Sequence, residues 1–326
     1  MTATDNPPAR YRLYVRLGCH LCDDAARLLA ALGIPFLRVD VDRDATLREE
    51  YGALLPVLHD TLRDRELVYP FTAADVLAAA NLEESPMKHE TLSYLAGQVR
   101  LDGALYLPAQ AAGKVPGVVV APEWWGMTDH VKTAAARLAE AGYAALVLDL
   151  YGQGNTTDQA VQANAWMSAL LDNPAELMAR AKAGMEALAA RPEVDSARLA
   201  AIGFCFGGKV ALEMARAGLP LRAAVSFHGG VEAFAPAEKG KVQAALLVEH
   251  GEADSMVSME DVAAFRAEMD AAQVTYHIDI FPGARHAFTN PQADANAAKN
   301  GVDLGYDPQA AAQSWQNMLD WLKQHL

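Results

Sequence analysis

Hydrophobic and polar residues follow one pattern over residues 1–82 and a different one after residue 90. In the first part, the alternating run Tyr11–Leu17 predicts a strand, and the Ala- and Leu-rich stretch Leu21–Leu32 predicts a helix. That helix is expected to stop at Gly33, because glycine tolerates the positive φ at which helices often end. The remaining segments extend the predicted order to βαβαββα, and they are Pro35–Val41, Ala45–Tyr51, Val57–His59, Glu66–Val68 and Thr72–Ala80. A small α/β domain is therefore expected over residues 1–82.

The strands predicted after residue 90 are short, continuous apolar runs rather than alternating ones. Such runs are typical of strands buried on both faces of a parallel sheet. Helical stretches separate them, for example Val131–Ala141 and the C-terminal Gln309–Leu326. The alternation predicts a doubly wound, mostly parallel α/β sheet over residues 90–326. Its predicted strands include Gly117–Val120, Ala144–Leu148, Leu199–Ile202, Ala223–Phe227, Ala244–Val248 and Tyr276–Phe281. Between the two domains, the polar residues 83–89, which include Pro86, are predicted to form a linker.

Composition narrows the class of protein. Of the 326 residues, 52% are hydrophobic, which is enough for packed cores, and the formal net charge of −14 disfavours nucleic acid and anionic membranes as partners. No apolar run approaches the roughly 20 residues of a membrane helix, and the polar Met1–Arg10 does not resemble a signal peptide. Only three cysteines are present, which suits a reducing compartment. We therefore expect a cytoplasmic protein.

The third cysteine lies between a predicted strand and a predicted helix, in the sequence Gly203-Phe204-Cys205-Phe206-Gly207. Gly-x-Cys-x-Gly in this context is the nucleophile-elbow pattern with sulfur in place of oxygen. The glycines are needed because the turn is tight, and the N-terminus of the following helix favours a thiolate. The backbone N–H of Phe206 is expected to face a developing oxyanion. A small buried hydrophobe is the alternative interpretation of Cys205.

A cysteine nucleophile needs a base and an acid that orients it. In this fold they follow the nucleophile in the order acid, then base, each in the loop after a later strand. Asp254 follows the strand ending near His250, and His286 follows the strand Tyr276–Phe281. An ordinary turn aspartate and a solvated histidine are the alternatives, but the order of all three residues favours a triad. The other histidines considered, His228, His250 and His277, are expected to be structural, since no metal-ligand spacing links them.

These motifs, with Ala121-Pro122-Glu123-Trp124-Trp125-Gly126 and Ala284-Arg285-His286-Ala287-Phe288, closely resemble the dienelactone hydrolase (carboxymethylenebutenolidase) family. The resemblance implies an α/β-hydrolase with a triad of Cys205, Asp254 and His286. It also implies that Glu123 contacts the resting thiol, and that the amides of Trp124 and Phe206 form the oxyanion hole. The family's arginines for a substrate carboxylate are not found. Thr289 and Asn290 stand where one is expected, and none follows Asp149–Asn155.

A second motif, Gly18-Cys19-His20-Leu21-Cys22, follows the first strand and opens the first helix. Cys-x-x-Cys at that position places Cys19 as the attacking thiolate and Cys22 as the resolving thiol. With Pro56 before the third strand, where thioredoxin-like folds place a cis-proline, the segment resembles glutaredoxin-like proteins. Tyr69-Pro70 replaces their Gly-Gly turn, which disfavours glutathione binding. A zinc site and a docking domain without redox chemistry are the alternatives.

Together, these observations predict a hydrolase that cleaves a small ester or lactone through an acyl-cysteine. The alternatives are a thiol-disulfide oxidoreductase that uses the hydrolase half as a scaffold, and a binding module that has lost turnover. We expect no cofactor and no metal. The expected partners are the small-molecule substrate and a thiol or disulfide partner of the N-terminal domain. Reduction of an oxidised Cys205 by Cys19 and Cys22 is a further hypothesis, because all three cysteines occupy reactive positions.

Overall fold

The structure is a computed structural model that describes residues 10–61, 64–73, 75–76, 88–109 and 113–326. The chain divides into two compact units, residues 1–86 and 87–326. Each unit has its own sheet and its own hydrophobic core, and each is described by itself.

The N-terminal unit contains a four-stranded sheet in the order β2-β1-β3-β4. Strands β1 and β2 are parallel, and β3 is antiparallel to both β1 and β4. The predicted element order is confirmed up to β4. Most of the predicted helix Thr72–Ala80 lies outside the described residues. The elements are β1 (Tyr11–Val15), α1 (His20–Ala31), β2 (Phe36–Asp40), a 3₁₀ turn (Val41–Arg43), α2 (Ala45–Tyr51), β3 (Val57–Asp60) and β4 (Arg65–Val68).

Helix α1 shows why the first motif lies where it does. Cys19 is its N-cap, and the buried residues Cys22, Ala25 and Leu29 recur at helical spacing on one face. They pack with Leu13 of β1 in the core of this unit. The helix ends just before Gly33, which has φ 68° as the sequence predicted. The dithiol motif is thus fixed at the start of a helix whose other face is held by the core.

The second unit contains an eight-stranded sheet in the order β12-β11-β10-β9-β7-β8-β6-β5. The six strands from β12 to β8 in that order are parallel, and the hairpin β5–β6 is antiparallel at one edge. The strands are β5 (Lys88–Ala96), β6 (Val99–Leu107), β7 (Val115–Ala121), β8 (Ala144–Val147), β9 (Val194–Phe204), β10 (Ala223–Phe227), β11 (Ala245–Gly251) and β12 (Tyr276–Phe281).

Helices cover both faces of this sheet, which confirms the doubly wound fold. Helices α3 and α9 contribute to the core on one face, and α5, α6 and α7 contribute to the core on the other. Among the described residues, every helix is too short or too polar to span a membrane. The helices are α3 (Asp129–Glu140), α4 (Ala160–Leu171), α5 (Pro174–Ala189), α6 (Phe206–Arg216), α7 (Met259–Ala272), α8 (Ala293–Asn300) and α9 (Pro308–His325).

The hairpin β5–β6 was not predicted, and it corrects the end of the proposed linker. Strand β5 already begins at Lys88, so Lys88 and His89 belong to the sheet rather than to the linker over residues 83–89. Both strands alternate between more and less exposed residues, as expected for an edge hairpin with one face on the core. Gly97, with φ 59°, lies in the turn that joins them.

Candidate active site

Cys205 lies in a sharp turn between β9 and α6, with φ 53° and ψ −117°. The turn requires glycines because the neighbouring backbones touch there. A Cβ on Gly203 would lie 1.9 Å from the carbonyl oxygen of Gly207, and a Cβ on Gly207 would lie 2.0 Å from that of Ala121. These approaches explain the Gly-x-Cys-x-Gly pattern, and they present the partly exposed Cys205 at the N-terminus of α6.

The parallel strands bring the predicted acid and base to the same edge of the sheet. Strands β9, β10, β11 and β12 are neighbours in that order, so the loops at their carboxyl ends lie side by side. Asp254 lies in the loop after β11 and His286 in the loop after β12, and both are almost fully buried. The structure therefore gathers Cys205, Asp254 and His286 from three segments that are far apart in sequence.

His286 and Asp254 form a buried hydrogen bond of 2.8 Å between Nδ1 and Oδ2. The other oxygen of Asp254 accepts the backbone N–H groups of Met256 and Val257, at 2.8 and 3.0 Å. These bonds fix the carboxylate, so the proton on Nδ1 of His286 is held towards it. Nε2 of His286 is buried and forms no hydrogen bond of good geometry within the described part of the chain. This nitrogen is therefore available to the sulfur and to a substrate.

The electrostatics of the site favour a charged His286. Burial lowers the pKa of His286, but the negative charge of Cys205 and the hydrogen bond with Asp254 outweigh it and raise the pKa to about 10. Within the described residues, no regular hydrogen bond joins Nε2 of His286 to Sγ of Cys205. The raised pKa keeps His286 protonated at neutral pH.

Glu123 is also buried at the site, but its hydrogen-bond partner is Asn290. Nδ2 of Asn290 donates to Oε2 of Glu123 at 2.8 Å, and no hydrogen bond joins Glu123 to Cys205 among the described residues. Burial raises the pKa of Glu123 to about 7, against the opposing effects of His286 and Asn290. From the sequence, Asn290 stood out only because it lacks the positive charge of an arginine. A contact between Glu123 and the thiol stays a prediction.

The predicted oxyanion-hole donors have free backbone amides. Trp124 follows the carboxyl end of β7, and Phe206 is the first residue of α6. In the described part of the chain, neither N–H group donates a hydrogen bond to a protein acceptor. An unpaired amide at a helix N-terminus suits a substrate oxygen that gains negative charge. Their role in the reaction stays a prediction.

Phe206, which directly follows Cys205, belongs to an aromatic group with Tyr151 and Trp166. The rings of Tyr151 and Trp166 are 5.1 Å apart, and those of Tyr151 and Phe206 are 6.4 Å apart and parallel. The Tyr151 hydroxyl donates to the carbonyl oxygen of Trp124 at 3.0 Å. Burial raises the pKa of Tyr151, and the negative charge of Cys205 raises it further. Tyr151 and Trp166 have no motif of their own, so only the tertiary structure identifies them.

In the N-terminal unit, Cys19 and Cys22 form a disulfide. Cys22 is buried and Cys19 is partly exposed, and the sulfur of Cys19 accepts the backbone N–H of Cys22 at 3.2 Å. The peptide bond between Leu55 and Pro56 is cis, as predicted, and Leu55 packs in the same core as both cysteines. The pair therefore occupies the position expected of a thioredoxin-like dithiol. Its redox activity stays a prediction.

The eight-stranded sheet, its two helical layers and the strand–Cys–helix elbow define this second unit as an α/β-hydrolase. Residues 101–326 match the Dienelactone hydrolase family, and the chain belongs to that family. Residues 11–81 match a glutaredoxin-like domain.

Relatives and solved structures agree with this family. A protein of Yersinia pestis named "Putative carboxymethylenebutenolidase" is 30% identical over 228 residues, which cover 67% of this chain and 81% of that protein. A solved structure named m3DLH is 41% identical with a TM-score of 0.70, and it covers 74% of this chain and 99% of its own. Another, the dienelactone hydrolase-like promiscuous phosphotriesterase P91 from metagenomic libraries, is 37% identical with a TM-score of 0.68, covering 73% and 98%.

Proposed function

We propose that this hydrolase cleaves a small ester or lactone through an acyl-cysteine intermediate on Cys205. The observation that supports this most directly is the buried hydrogen bond between His286 and Asp254, beside a cysteine in a nucleophile elbow. A buried, oriented histidine next to a strained cysteine has the arrangement of a nucleophile and its base. A cysteine that served only to fill space would need neither partner.

The geometry supports a reaction in two stages. The Cys205 thiolate attacks the carbonyl carbon of the ester, and the carbonyl oxygen becomes an oxyanion that accepts the N–H groups of Trp124 and Phe206. The imidazolium of His286 then gives its Nε2 proton to the leaving alkoxide, and the acyl group remains on sulfur. In the second stage, neutral His286 takes a proton from water, and the resulting hydroxide attacks the thioester. The thiolate leaves, and the product acid and the imidazolium complete the cycle.

The acyl-cysteine can be observed directly with p-nitrophenyl acetate. We expect a burst of p-nitrophenolate and a covalent acetyl group that peptide mapping places on Cys205. The Cys19→Ser variant is the matched control, because it removes a partly exposed sulfur from the other unit and should keep the burst. An acetyl group found on Cys19 or on a lysine, with hydrolysis unaffected by alkylation of Cys205, would contradict the proposal.

The substrate's acyl group is proposed to be uncharged and apolar. The positions where family members place a carboxylate-binding arginine hold Thr289 and Asn290, and both side chains are engaged within the protein. Two cations on the neighbouring helices α5 and α6 are engaged as well. Arg180 donates to Glu176 and to the carbonyl oxygen of Leu150, and Lys209 donates to the carbonyl oxygen of Glu232. The aromatic group around Tyr151 instead offers apolar surface to the substrate.

A second candidate function is thiol-disulfide exchange by the N-terminal unit, which the disulfide between Cys19 and Cys22 favours. In this reaction the Cys19 thiolate attacks a disulfide, and one partner sulfur leaves as a thiolate. Cys22 then attacks the mixed disulfide, so the protein's dithiol is oxidised and the partner's disulfide is reduced. The partly exposed Cys19 at a helix N-terminus suits the first attack, and the buried Cys22 suits the second.

Trapping distinguishes this activity from a docking role. In a Cys205→Ala background, Cys22→Ser mixed with 2-hydroxyethyl disulfide should accumulate a stable mixed disulfide on Cys19. The matched variant Cys19→Ser should react about 10-fold or more slowly, because its remaining sulfur is buried. The rate of mixed-disulfide formation is measured by intact mass over time. Equal rates for the two variants would exclude Cys19 as the attacking thiol and Cys22 as the resolving thiol.

A further inference from the structure

A chain of hydrogen bonds connects the backbone of the nucleophile to the loop of the base. His228, directly after β10, is fully buried and has φ 41°. Its Nδ1 accepts the backbone N–H of Cys205 at 3.2 Å, and the same N–H also donates to the carbonyl oxygen of Phe227 at 3.0 Å. Its Nε2 lies 2.7 Å from Oγ1 of Thr289. That hydroxyl lies 3.3 Å from Nε2 of His130. Four residues from four separate segments therefore form one continuous chain behind the active site.

The position of the proton on His228 follows from its two hydrogen bonds. The amide of Cys205 is always a donor, so Nδ1 of His228 must be the unprotonated nitrogen of a neutral ring. Nε2 of His228 then carries the proton and donates it to Thr289. The Thr289 hydroxyl accepts this bond, and the same oxygen is hydrogen-bonded to Nε2 of His130. The tautomer of His228 is thus set by the backbone N–H of the nucleophile.

The surroundings keep both histidines neutral, as this arrangement requires. Burial lowers the pKa of His228 well below its usual value, and His286, His130 and His250 lower it further. Burial together with Arg137 lowers the pKa of His130 to about 4. Neither ring takes up a second proton near neutral pH, so Nδ1 of His228 remains an acceptor.

His228 also packs against the catalytic base. Its ring lies edge-to-face with the ring of His286, at a centroid distance of 5.3 Å, and with that of Phe288 at 5.2 Å. Thr289 follows His286 by three residues in the same loop. Cys205, His228 and Ala287 all have positive φ, a conformation that costs energy for residues other than glycine unless the surroundings hold it. The chain therefore joins three strained segments at the point where nucleophile and base must meet.

We propose that His228 is a positioning residue, which holds the Cys205 elbow and the His286 loop in register through its bonds to the Cys205 amide and the Thr289 hydroxyl. This inference rests on the proposed function of Cys205 and His286. Removal of the Thr289 hydroxyl leaves the Nε2 proton of His228 buried without an acceptor. If the ring moves that proton to Nδ1 instead, it loses the bond to Cys205. Either change loosens the alignment of sulfur and imidazole.

The test compares Thr289→Val with Thr289→Ser, which keeps the hydroxyl. Two rates are measured in a Cys19→Ser, Cys22→Ser background that leaves one thiol: alkylation of Cys205 by iodoacetamide, and turnover of p-nitrophenyl acetate. Thr289→Val should lower the alkylation rate and kcat by about tenfold while KM stays within about twofold, since alignment rather than binding is lost. Thr289→Ser should recover most of the loss. Ser226→Ala removes a nearby buried hydroxyl that makes no hydrogen bond to any described residue, and it should change neither rate.

The outcomes separate this inference from the proposed function. If the protein does not hydrolyse esters, Thr289→Val should still slow alkylation of Cys205, and the proposed function alone fails. If a folded Thr289→Val alkylates and turns over as the parent does, the positioning role is excluded. Should Thr289→Val fail to fold, His228→Asn is the second variant. Its amide oxygen can accept the N–H of Cys205 but cannot reach Thr289. This variant should therefore also lower kcat while KM stays nearly unchanged. A kcat equal to that of the parent would exclude the positioning role of His228.

Discussion

Replacing Asp254 by Asn is expected to lower kcat for ester hydrolysis by about 10⁴-fold with little change in KM. Oδ1 of Asp254 is fixed by the N–H groups of Met256 and Val257, so the substituted amide would turn its NH₂ group towards His286. Nδ1 of His286 would then have to accept a hydrogen bond rather than donate one. Its own proton would move to Nε2, the nitrogen that must act on the thiol and on water. Without the charge of Asp254, the imidazolium would also lose a stabilising partner.

The prediction is checked by single-turnover and steady-state kinetics on folded protein. Cys205→Ala supplies the matched comparison, because residues that act as one unit are not additive. The double variant Asp254→Asn, Cys205→Ala should therefore be no slower than Cys205→Ala alone. If the losses of kcat in the two single variants multiplied in the double variant, Asp254 would act independently of Cys205. Activity of Asp254→Asn within tenfold of the parent would show that another group orients His286.

Discrimination against a charged acyl group is the second large effect. We expect kcat/KM for p-nitrophenyl butyrate to exceed that for p-nitrophenyl hemisuccinate by about 100-fold or more, because a carboxylate that enters this site is desolvated without a cationic partner. The two esters share a leaving group and a similar chain length, so the comparison isolates the charge. The engagement of Arg180 and Lys209 in other bonds is the structural reason.

Saturation kinetics with both esters give the measurement, and added salt gives the control. Since the chain has a net charge of −14, part of the discrimination can arise from long-range repulsion, which salt screens. The part due to desolvation at the site should persist at high salt. Equal kcat/KM for the two esters would show that a cation reaches the acyl group, and Lys209 on the first turn of α6 would then be the residue to substitute.

The membership of this chain in the Dienelactone hydrolase family defines the reaction class more firmly than the substrate. The residues of the elbow and of the Asp254–His286 pair come with the fold. Thr289 and Asn290 stand where the family resemblance implies an arginine for a substrate carboxylate. In this chain Thr289 is hydrogen-bonded to His228 and Asn290 to Glu123, so neither side chain binds a substrate carboxylate as an arginine would. Fold and chemistry can therefore be kept while the substrate changes.

Features that depend on local pattern could be predicted from the sequence alone. Continuous apolar runs predicted the buried parallel strands, and β10 and β12 begin and end at the predicted residues. Gly203 and Gly207 predicted the elbow, because the steric need for glycine there follows from a turn of only five residues. The order of cysteine, aspartate and histidine after successive strands predicted which side chains meet. The alternating hairpin β5–β6 was equally visible as a pattern, and it was missed.

The hydrogen bonds that support the triad, by contrast, follow from the folded structure and not from any sequence motif. His228 is separated from Cys205 by 23 residues and from Thr289 by 61, and Thr289 is separated from His130 by 159. No periodicity or motif links such positions. From the sequence, His228 is therefore expected to be structural, and Thr289 is notable only because it stands where the family has an arginine. Asn290 and Glu123 are 167 residues apart and meet in the same way. Hydrogen bonds of this kind depend on which strands are neighbours in the sheet. That neighbourhood is set by the packing of the whole unit, because a buried polar group must find its partner wherever the fold brings one.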